Sequence, residues 1–374
     1  MSRLLSKYSY FLFILFSLCL LGGFFIFSGR QLNDASDAFL FLPITSDKMD
    51  KEYSLVLASP AKEPITLIFG GDVMLSRTVN AKMFSYGNYL WPFQEIASTT
   101  AEADITIFNL ESPFLKEADY RVPSGSFSFK ADPQALSGLI LSGVDVLSLA
   151  NNHILNASEQ GIKDSLSLLT GERIAVVGAG MNETEARRGA IIERGTWKVA
   201  FLSYAYPQDN SVASAENAGI ASLDMANLRA DISRLRPQAD LIVVLIHAGL
   251  EYVSQPNESQ KQFAHMAIES GADAVIGHHP HWLQSWEIYQ GKPIFYSLGN
   301  LVFDQMWSQA TSQGLLLRLT FATDLSGRAE FMPLIIKDYG QAVFWPEDKP
   351  LADFWLPYDL PPTFDLDWPA PENN

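Results

Sequence analysis

The sequence predicts an α/β domain built in layers. Three observations carry the prediction. From residue 64 onward, short apolar runs bounded by turn residues alternate with longer stretches of helical period. One run, residues 241–246, is apolar at every position, the mark of a strand covered on both faces. Acids, amides and histidines stand directly after these runs, at the strand ends where open α/β sheets form their ligand crevice.

The elements follow in order. Pro64 opens a buried-strand pattern at 65–69. Further strand patterns fall at 104–108, 144–149, 174–177, 198–204, 241–246, 274–276, 293–298 and 315–321. Helical stretches lie between them at 133–142, 158–169, 227–235 and 258–270. Together they delimit a domain over residues 64–337. From about residue 338 the composition shifts. Trp345, Trp355 and Trp368 alternate with prolines among many acids. Prolines at that density argue against a regular element, so 338–374 reads as an extended tail strapped over the surface.

Ahead of the domain, Arg3 and Lys7 precede an apolar run over 8–27. About 20 apolar residues can span a bilayer. The basic flank stays inside, which would leave the domain extracytoplasmic on a single-pass membrane protein. The run exceeds a signal-peptide core, and Phe27 stands where a small residue belongs before a cleavage site. Residues 1–28 therefore read as an uncleaved transmembrane helix, and 29–63 as a polar stalk.

Composition narrows the function. The chain has 374 residues, 48% of them apolar and 18% charged, which excludes global disorder. A net charge of -16 gives no basic footprint for nucleic acid. The single cysteine, Cys19, lies in the predicted anchor, so thiolate metal sites and cysteine nucleophiles are excluded. Any metal must be held by nitrogen and oxygen.

Five strand-end motifs carry chemistry. Gly70-Gly71-Asp72-Val73-Met74 leaves Asp72 at the end of the first strand. Phe108-Asn109-Leu110-Glu111 places Glu111 just past the second. Ala150-Asn151-Asn152-His153 offers an amide oxygen and an imidazole, although an asparagine there also suits a helix cap. His247-Ala248-Gly249-Leu250-Glu251-Tyr252 follows the most apolar strand. Gly277-His278-His279-Pro280-His281 packs three of the six histidines into four residues, and Tyr296-Ser297-Leu298-Gly299-Asn300 follows. In an extended segment His279 and His281 project to one side, so two imidazoles can converge. Imidazole is the commonest protein metal ligand. Only His265, on a predicted helix, looks incidental.

In order and spacing, these motifs resemble the bacterial CapA (poly-γ-glutamate capsule synthesis) family across about residues 65–320. That family is similar in turn to the calcineurin-like metallophosphoesterases. The resemblance implies an α-β-β-α sandwich and two divalent metal ions. It makes Asp72 and His281 ligands of the first ion and Glu111 the bridge. Asn152, His247 and His279 would hold the second, and His153 would assist the leaving group. Glu251 and Asn300 would orient ligands, and His278 falls outside the set. Metallophosphoesterases carry Asp-x-His at the first motif, where this chain has Met74. A thioether is a poor ligand for such ions, which leaves the first position one ligand short. Mn, Fe and Zn all suit the donor set.

The resemblance implies metal-assisted hydrolysis or transfer on an anionic extracellular polymer or its precursor, within a capsule-synthesis complex at the membrane. Two rival readings are a non-enzymatic, metal-dependent polymer binder for export or tethering, and a generic phosphodiesterase or nucleotidase.

Overall fold

Continuous apolar runs form buried strands because a strand covered on both faces has no polar side to present. In the computed structural model, β1 (Ile65–Val73) is buried at all but one position and β2 (Ile105–Leu110) at every one. The structure describes residues 62–118, 120, 127–208, 210–350, 353–354 and 365–370. The predicted anchor and nearly all of the predicted stalk lie outside the described residues. Among the described residues no helix is long and apolar enough to cross a membrane.

The chain lays down one sheet, crosses to a second and returns. After β1 come α1 (Arg77–Tyr86) and α2 (Ala97–Ala101), then β2. Next are α3 (Leu136–Leu141), β3 (Val146–Ser148), α4 (Ser158–Gly171) and β4 (Ala175–Val177). These four strands run parallel. The two-residue β5 (Ala179–Gly180) and the short α5 (Glu183–Ala186) lead to β6 (Ala190–Arg194) and β7 (Trp197–Ala205). The two-residue β8 (Gly219–Ile220) pairs back onto β5. Then follow α6 (Met225–Leu235), β9 (Leu241–His247), α7 (Glu258–Glu269), β10 (Ala274–His278), β11 (Trp286–Tyr289) and β12 (Lys292–Phe295). The return brings β13 (Asn300–Val302) beside β1, then the antiparallel β14 (Gln313–Phe321), β15 (Gly327–Lys337) and β16 (Gln341–Phe344). Finally β17 (Asp365–Trp368) pairs with β15.

The first sheet has the order β16-β15-β14-β1-β2-β3-β4, and the second β11-β12-β10-β9-β7-β6. Strand alternation sorts the side chains into three cores. Leu67 and Phe69 of β1 meet Val243 and Leu245 of β9 between the sheets. Ile68 points the other way, into a core with Val79 and Met83 of α1, Leu139 of α3 and Ile162 and Leu169 of α4. Ile242 and Val244 of β9 face Leu228 and Ile232 of α6 and Phe263 and Ala267 of α7. The layers run helix, sheet, sheet, helix, a mixed α/β architecture as the sequence predicts. Each such buried aliphatic contributes about 1.5–3 kcal/mol.

Several elements depart from the sequence reading, among them β6, β11 and β15, strands that no apolar run announced. The tail was expected to hold no regular element, yet β16 and β17 form in its proline-free stretches. Trp368 is buried against Phe321 with ring centroids 5.3 Å apart, and its indole nitrogen donates to the Leu325 carbonyl. Helix α1 was also not predicted. It buries only Val79, Asn80 and Met83, too sparse a stripe to show as a period.

Candidate metal centre

The ends of β1 and β2 lie side by side in one sheet and those of β9 and β10 in the other, and contacts of Asn109 with His247 and of His278 with the Gly70 carbonyl join the two edges. Two close approaches set these edges. A Cβ on Gly71 would lie 2.0 Å from the Gly299 carbonyl oxygen, and one on Gly277 would lie 1.9 Å from that of Tyr296. Only glycine fits at either place.

Asp72 is fully buried at the end of β1. Its Oδ1 accepts from Asn109 Nδ2 at 2.8 Å, and its Oδ2 accepts from the His279 backbone N–H at 3.2 Å. Oδ2 also stands 3.3 Å from His281 Nδ1. Burial alone would raise the Asp72 carboxyl, but the hydrogen bond and charge of His281, then the charge of His278, hold it below its usual range. For His281, burial opposes the charged ring, but Glu111, Asp72 and Glu251 outweigh it and raise the imidazole to about 9.

Glu111, just past β2, is fully buried, and neither carboxylate oxygen has a hydrogen-bond partner among the described residues. Burial first, and then the charge of Asp72, push its carboxyl well above the usual range. An ionised carboxylate held this way costs several kcal/mol unless a cation answers it. His247 Nε2 is 3.4 Å from Glu111 Oε1 and 2.9 Å from Asn152 Oδ1. Its Nδ1 is 3.2 Å from Asn109 Nδ2, a donor, so Nδ1 accepts. Burial, and then the neighbouring His279, hold the His247 ring well below its usual pKa and neutral. His279 stands 4.8 Å from His247, centroid to centroid, and its Nδ1 is buried with no partner among the described residues. Burial lowers His279 to about 4.

These atoms fit divalent-metal coordination. Ligands about 2.1 Å from one ion are ~3.0 Å apart in octahedral and ~3.4 Å apart in tetrahedral geometry. The 2.9 and 3.4 Å contacts of His247 match such edges. Ligand atoms of Asp72, Glu111 and His281 all lie within 4.8 Å of one another, so Glu111 belongs to both groups. The neutral imidazoles of His247 and His279 and the carboxylate without donors are the donor set a hard or borderline dication takes.

The remaining predicted residues divide. His153 donates from Nδ1 to Asn156 Oδ1 at 2.9 Å, since that oxygen also accepts the Phe129 N–H. Burial lowers the ring to about 4, so Nε2 is an acceptor. Asn300 accepts from His281 Nδ1 at 2.9 Å. Glu251 is exposed, its charge acting on Glu111, His153, His279 and His281, and it holds no ligand by a hydrogen bond among the described residues. His278 bonds the Gly70 carbonyl from Nε2 at 3.1 Å. Asn151 ties the Leu110 carbonyl and the His153 N–H. Met74 is buried in the outer core.

One expectation is corrected. His279 and His281 do not lie in an extended segment. β10 ends at His278, and both residues take left-handed backbone, φ 99° and 57°. The two rings still converge, 6.2 Å apart. Such strain in non-glycine residues clusters at functional sites.

Sequence reasoning missed two residues. Asn109 links Asp72 to His247; its place within Asn-Leu-Glu was the available signal. Arg77 opens α1, is ion-paired with Asp304 and lies 4.9 Å from the Phe129 ring and 5.6 Å from that of Phe303. Those rings in turn face His153 at 4.0 Å and His281 at 4.7 Å.

The fold and site thus define a layered α/β protein with a candidate metal centre at its strand ends. The model of the bacterial capsule synthesis protein PGA_cap family matches residues 66–305, and the chain belongs to that family. It is similar to the PGA biosynthesis protein CapA of Bacillus subtilis, 30% identical over 272 residues, covering 72% of this chain and 71% of that one. It is also similar to the capsule biosynthesis protein CapA of Bacillus anthracis, 31% identical over 261 residues, covering 68% of this chain and 63% of that one. Among solved structures, an NAD nucleotidase from Haemophilus influenzae overlays with a TM-score of 0.40 at 13% identity, over 76% of this chain and 54% of that one. Likeness at that level carries no argument about activity.

Proposed function

We propose that this chain is a capsule-biosynthesis protein, anchored by its N-terminal helix with the domain outside the cytoplasm. It acts on an anionic polymer of the poly-γ-glutamate type through a metallophosphoesterase-like two-ion centre. One observation carries the reading: a fully buried Glu111, without a hydrogen-bond donor among the described residues, shared between Asp72 and His281 on one side and His247 and Asn152 on the other. The similarity to CapA proteins supports the polymer.

Asp72, His281 and Glu111 would hold one ion, and Glu111, Asn152, His247 and His279 the other. When bound, the ions supply Lewis-acid polarisation of a carbonyl or phosphoryl oxygen and a nucleophile at neutral pH. The chain's own residues do the rest. Asn109 holds Asp72 and His247 in register with each other. His153 has its Nδ1 proton committed to Asn156, so its neutral ring can accept a proton at Nε2 and return it to a leaving group.

That neutral state of His153 also favours a second reading, metal-dependent polymer binding without turnover, because no acid stands ready in the free protein. Metal analysis and polymer assays on the full chain separate these readings. Ions per chain lost in the Asp72→Ala, His279→Ala double variant, with shortening of γ-glutamate chains, support the enzyme. Metal-dependent binding without shortening supports the tether. A wild type that takes up no Mn, Fe or Zn defeats both.

A further inference from the structure

A line of rings leads from the proposed centre to solvent. His281, 3% exposed, lies against Tyr252, with ring centroids 6.0 Å apart and planes 30° apart. Tyr252 is half-buried and packs edge-to-face with Trp307 at 5.9 Å and with Trp282 at 6.4 Å. Trp307 is 63% exposed. Single exposed apolar side chains are ordinary on a protein surface. This one is continuous, through Tyr252, with a proposed metal ligand, and apolar surface gathered beside a site marks a ligand groove.

Tyr252 is held in register with His281. Gln305 Nε2 donates to Tyr252 Oη at 3.2 Å, and Gln305 Oε1 accepts from Asn300 Nδ2 at 3.2 Å. Asn300 Oδ1 in turn accepts from His281 Nδ1 at 2.9 Å. The Thr311 carbonyl, which can only accept, takes an N–H of Asn300 at 2.9 Å and so fixes which way this chain of amides runs. From the other side, the Tyr252 backbone N–H donates to the Pro280 carbonyl at 2.9 Å, and Tyr252 takes left-handed backbone, φ 60°. That conformation is uncommon for an aromatic residue, and such strain clusters at ligand clamps.

We propose that Tyr252 and Trp307 form a binding platform for the stretch of polymer next to the group at the ions, and that its occupant is the two-methylene face of a γ-linked glutamyl unit. Charge sets the orientation. Glu251, exposed and next to Tyr252 in the chain, puts a negative charge beside the platform. Arg77, whose charge also reaches Tyr252, is taken up in its ion pair with Asp304. A polymer carboxylate is therefore repelled from the rings and drawn to the ions, which leaves the uncharged methylenes to lie on the aromatic faces. The inference rests on the capsule-polymer reading, and its test separates the two.

The test is titration of a short γ-linked glutamate oligomer into the full chain with Zn added, followed by calorimetry and by proton NMR of the oligomer. Protons over a ring face move upfield, so the wild type should shift the β and γ methylene protons more than the α proton. That readout needs no variant. Trp307→Ala should lose most of the shift and bind about tenfold more weakly. It should keep the wild-type thermal midpoint, because the side chain is mostly exposed. Trp307→Phe, which keeps a ring, should restore much of the shift and of the affinity. An oligomer that binds wild type and Trp307→Ala alike, with no upfield methylene shift, overturns the platform and leaves the polymer reading intact. A wild type that binds no oligomer removes the polymer reading and this inference with it.

Discussion

Arg77 on the first turn of α1 is ion-paired with Asp304, just past β13, so the pair ties the start of α1 to the segment that follows β13. Asp304 also accepts the Thr78 backbone N–H at 3.1 Å. The guanidinium lies against Phe129 and Phe303, whose rings face His153 and His281. The Asp304 side chain is only 7% exposed, so removing its partner leaves a buried charge uncompensated. Arg77→Met should cost about 3 kcal/mol in denaturant unfolding. Adding Asp304→Asn should recover most of that loss, because the amide still accepts from Thr78. A double-mutant cycle with no coupling would show the pair to be energetically idle.

Glu111 gives the sharpest contrast between metal-free and metal-loaded protein. Without a cation, its buried carboxylate lacks donors among the described residues. After exhaustive chelation, Glu111→Gln should therefore unfold later than wild type, by about 1–3 kcal/mol. With Mn added, the order should reverse. The wild type gains ~2.7 kcal/mol at a hundredfold excess over its dissociation constant, and the variant gains little. Thermal scans of both proteins with and without Mn test this. A variant that is less stable under both conditions would mean that Glu111 serves packing alone.

Much of this centre was legible in the sequence because strand ends announce themselves. The apolar run ending at His247 is β9, Asp72 stands in the last positions of β1, and Glu111 and Asn152 follow β2 and β3. Their convergence depends on parallel neighbours in each sheet, which alternating elements predict. What stayed hidden was side-chain pairing across the chain. Nothing local marks Asn109 as the link between Asp72 and His247, residues 37 and 138 positions away. The left-handed backbone at His279 and His281 was equally hidden, since it opposes the intrinsic preference of both residues and is imposed by tertiary contacts. Arg77 escaped notice because its helix is barely amphipathic.

A pH effect is expected away from the centre. Glu287 on β11 accepts from Tyr296 Oη and pairs with His265 Nε2 at 2.7 Å. Burial alone would raise its carboxyl, but the Tyr296 hydrogen bond and then His265 outweigh it and lower the pKa. A carboxyl with a depressed folded pKa adds stability above its unfolded value, and that stability fades as pH falls through the folded value. The side chain is 37% exposed, so screening keeps the contribution to about 0.5 kcal/mol. Glu287→Gln should lower the urea midpoint slightly at pH 7, and the difference should shrink steadily as pH falls below the ordinary glutamate value of about 4.3. A difference that does not shrink in acid would point to lost packing rather than lost charge.

The tail offers a test of how far the fold extends past residue 337. Trp368 sits where a solvent-facing strap would leave it wet, yet it is 3% exposed. Its ring fills the space above Gly327, where an added Cβ would lie 2.3 Å from the indole. β17 brings it there by pairing Asp365–Trp368 with β15, so the sheet gains a strand and the core between the sheets gains its largest side chain type. Prolines bracket this stretch without entering it, which is why a strand forms in a segment whose composition argues against one. Trp368→Ala should cost about 3–5 kcal/mol, the loss of a buried aromatic together with its cavity. Trp368→Phe should cost less, keeping most of the contact with Phe321 and losing the hydrogen bond to Leu325. Both variants should bind metal as the wild type does, since β15 and β17 lie on the far side of β14 from Asp72. Hydrogen exchange at β15 would report the change directly, with faster exchange at 327–330 in Trp368→Ala. Unchanged protection there would return the tail to the status of a loose strap.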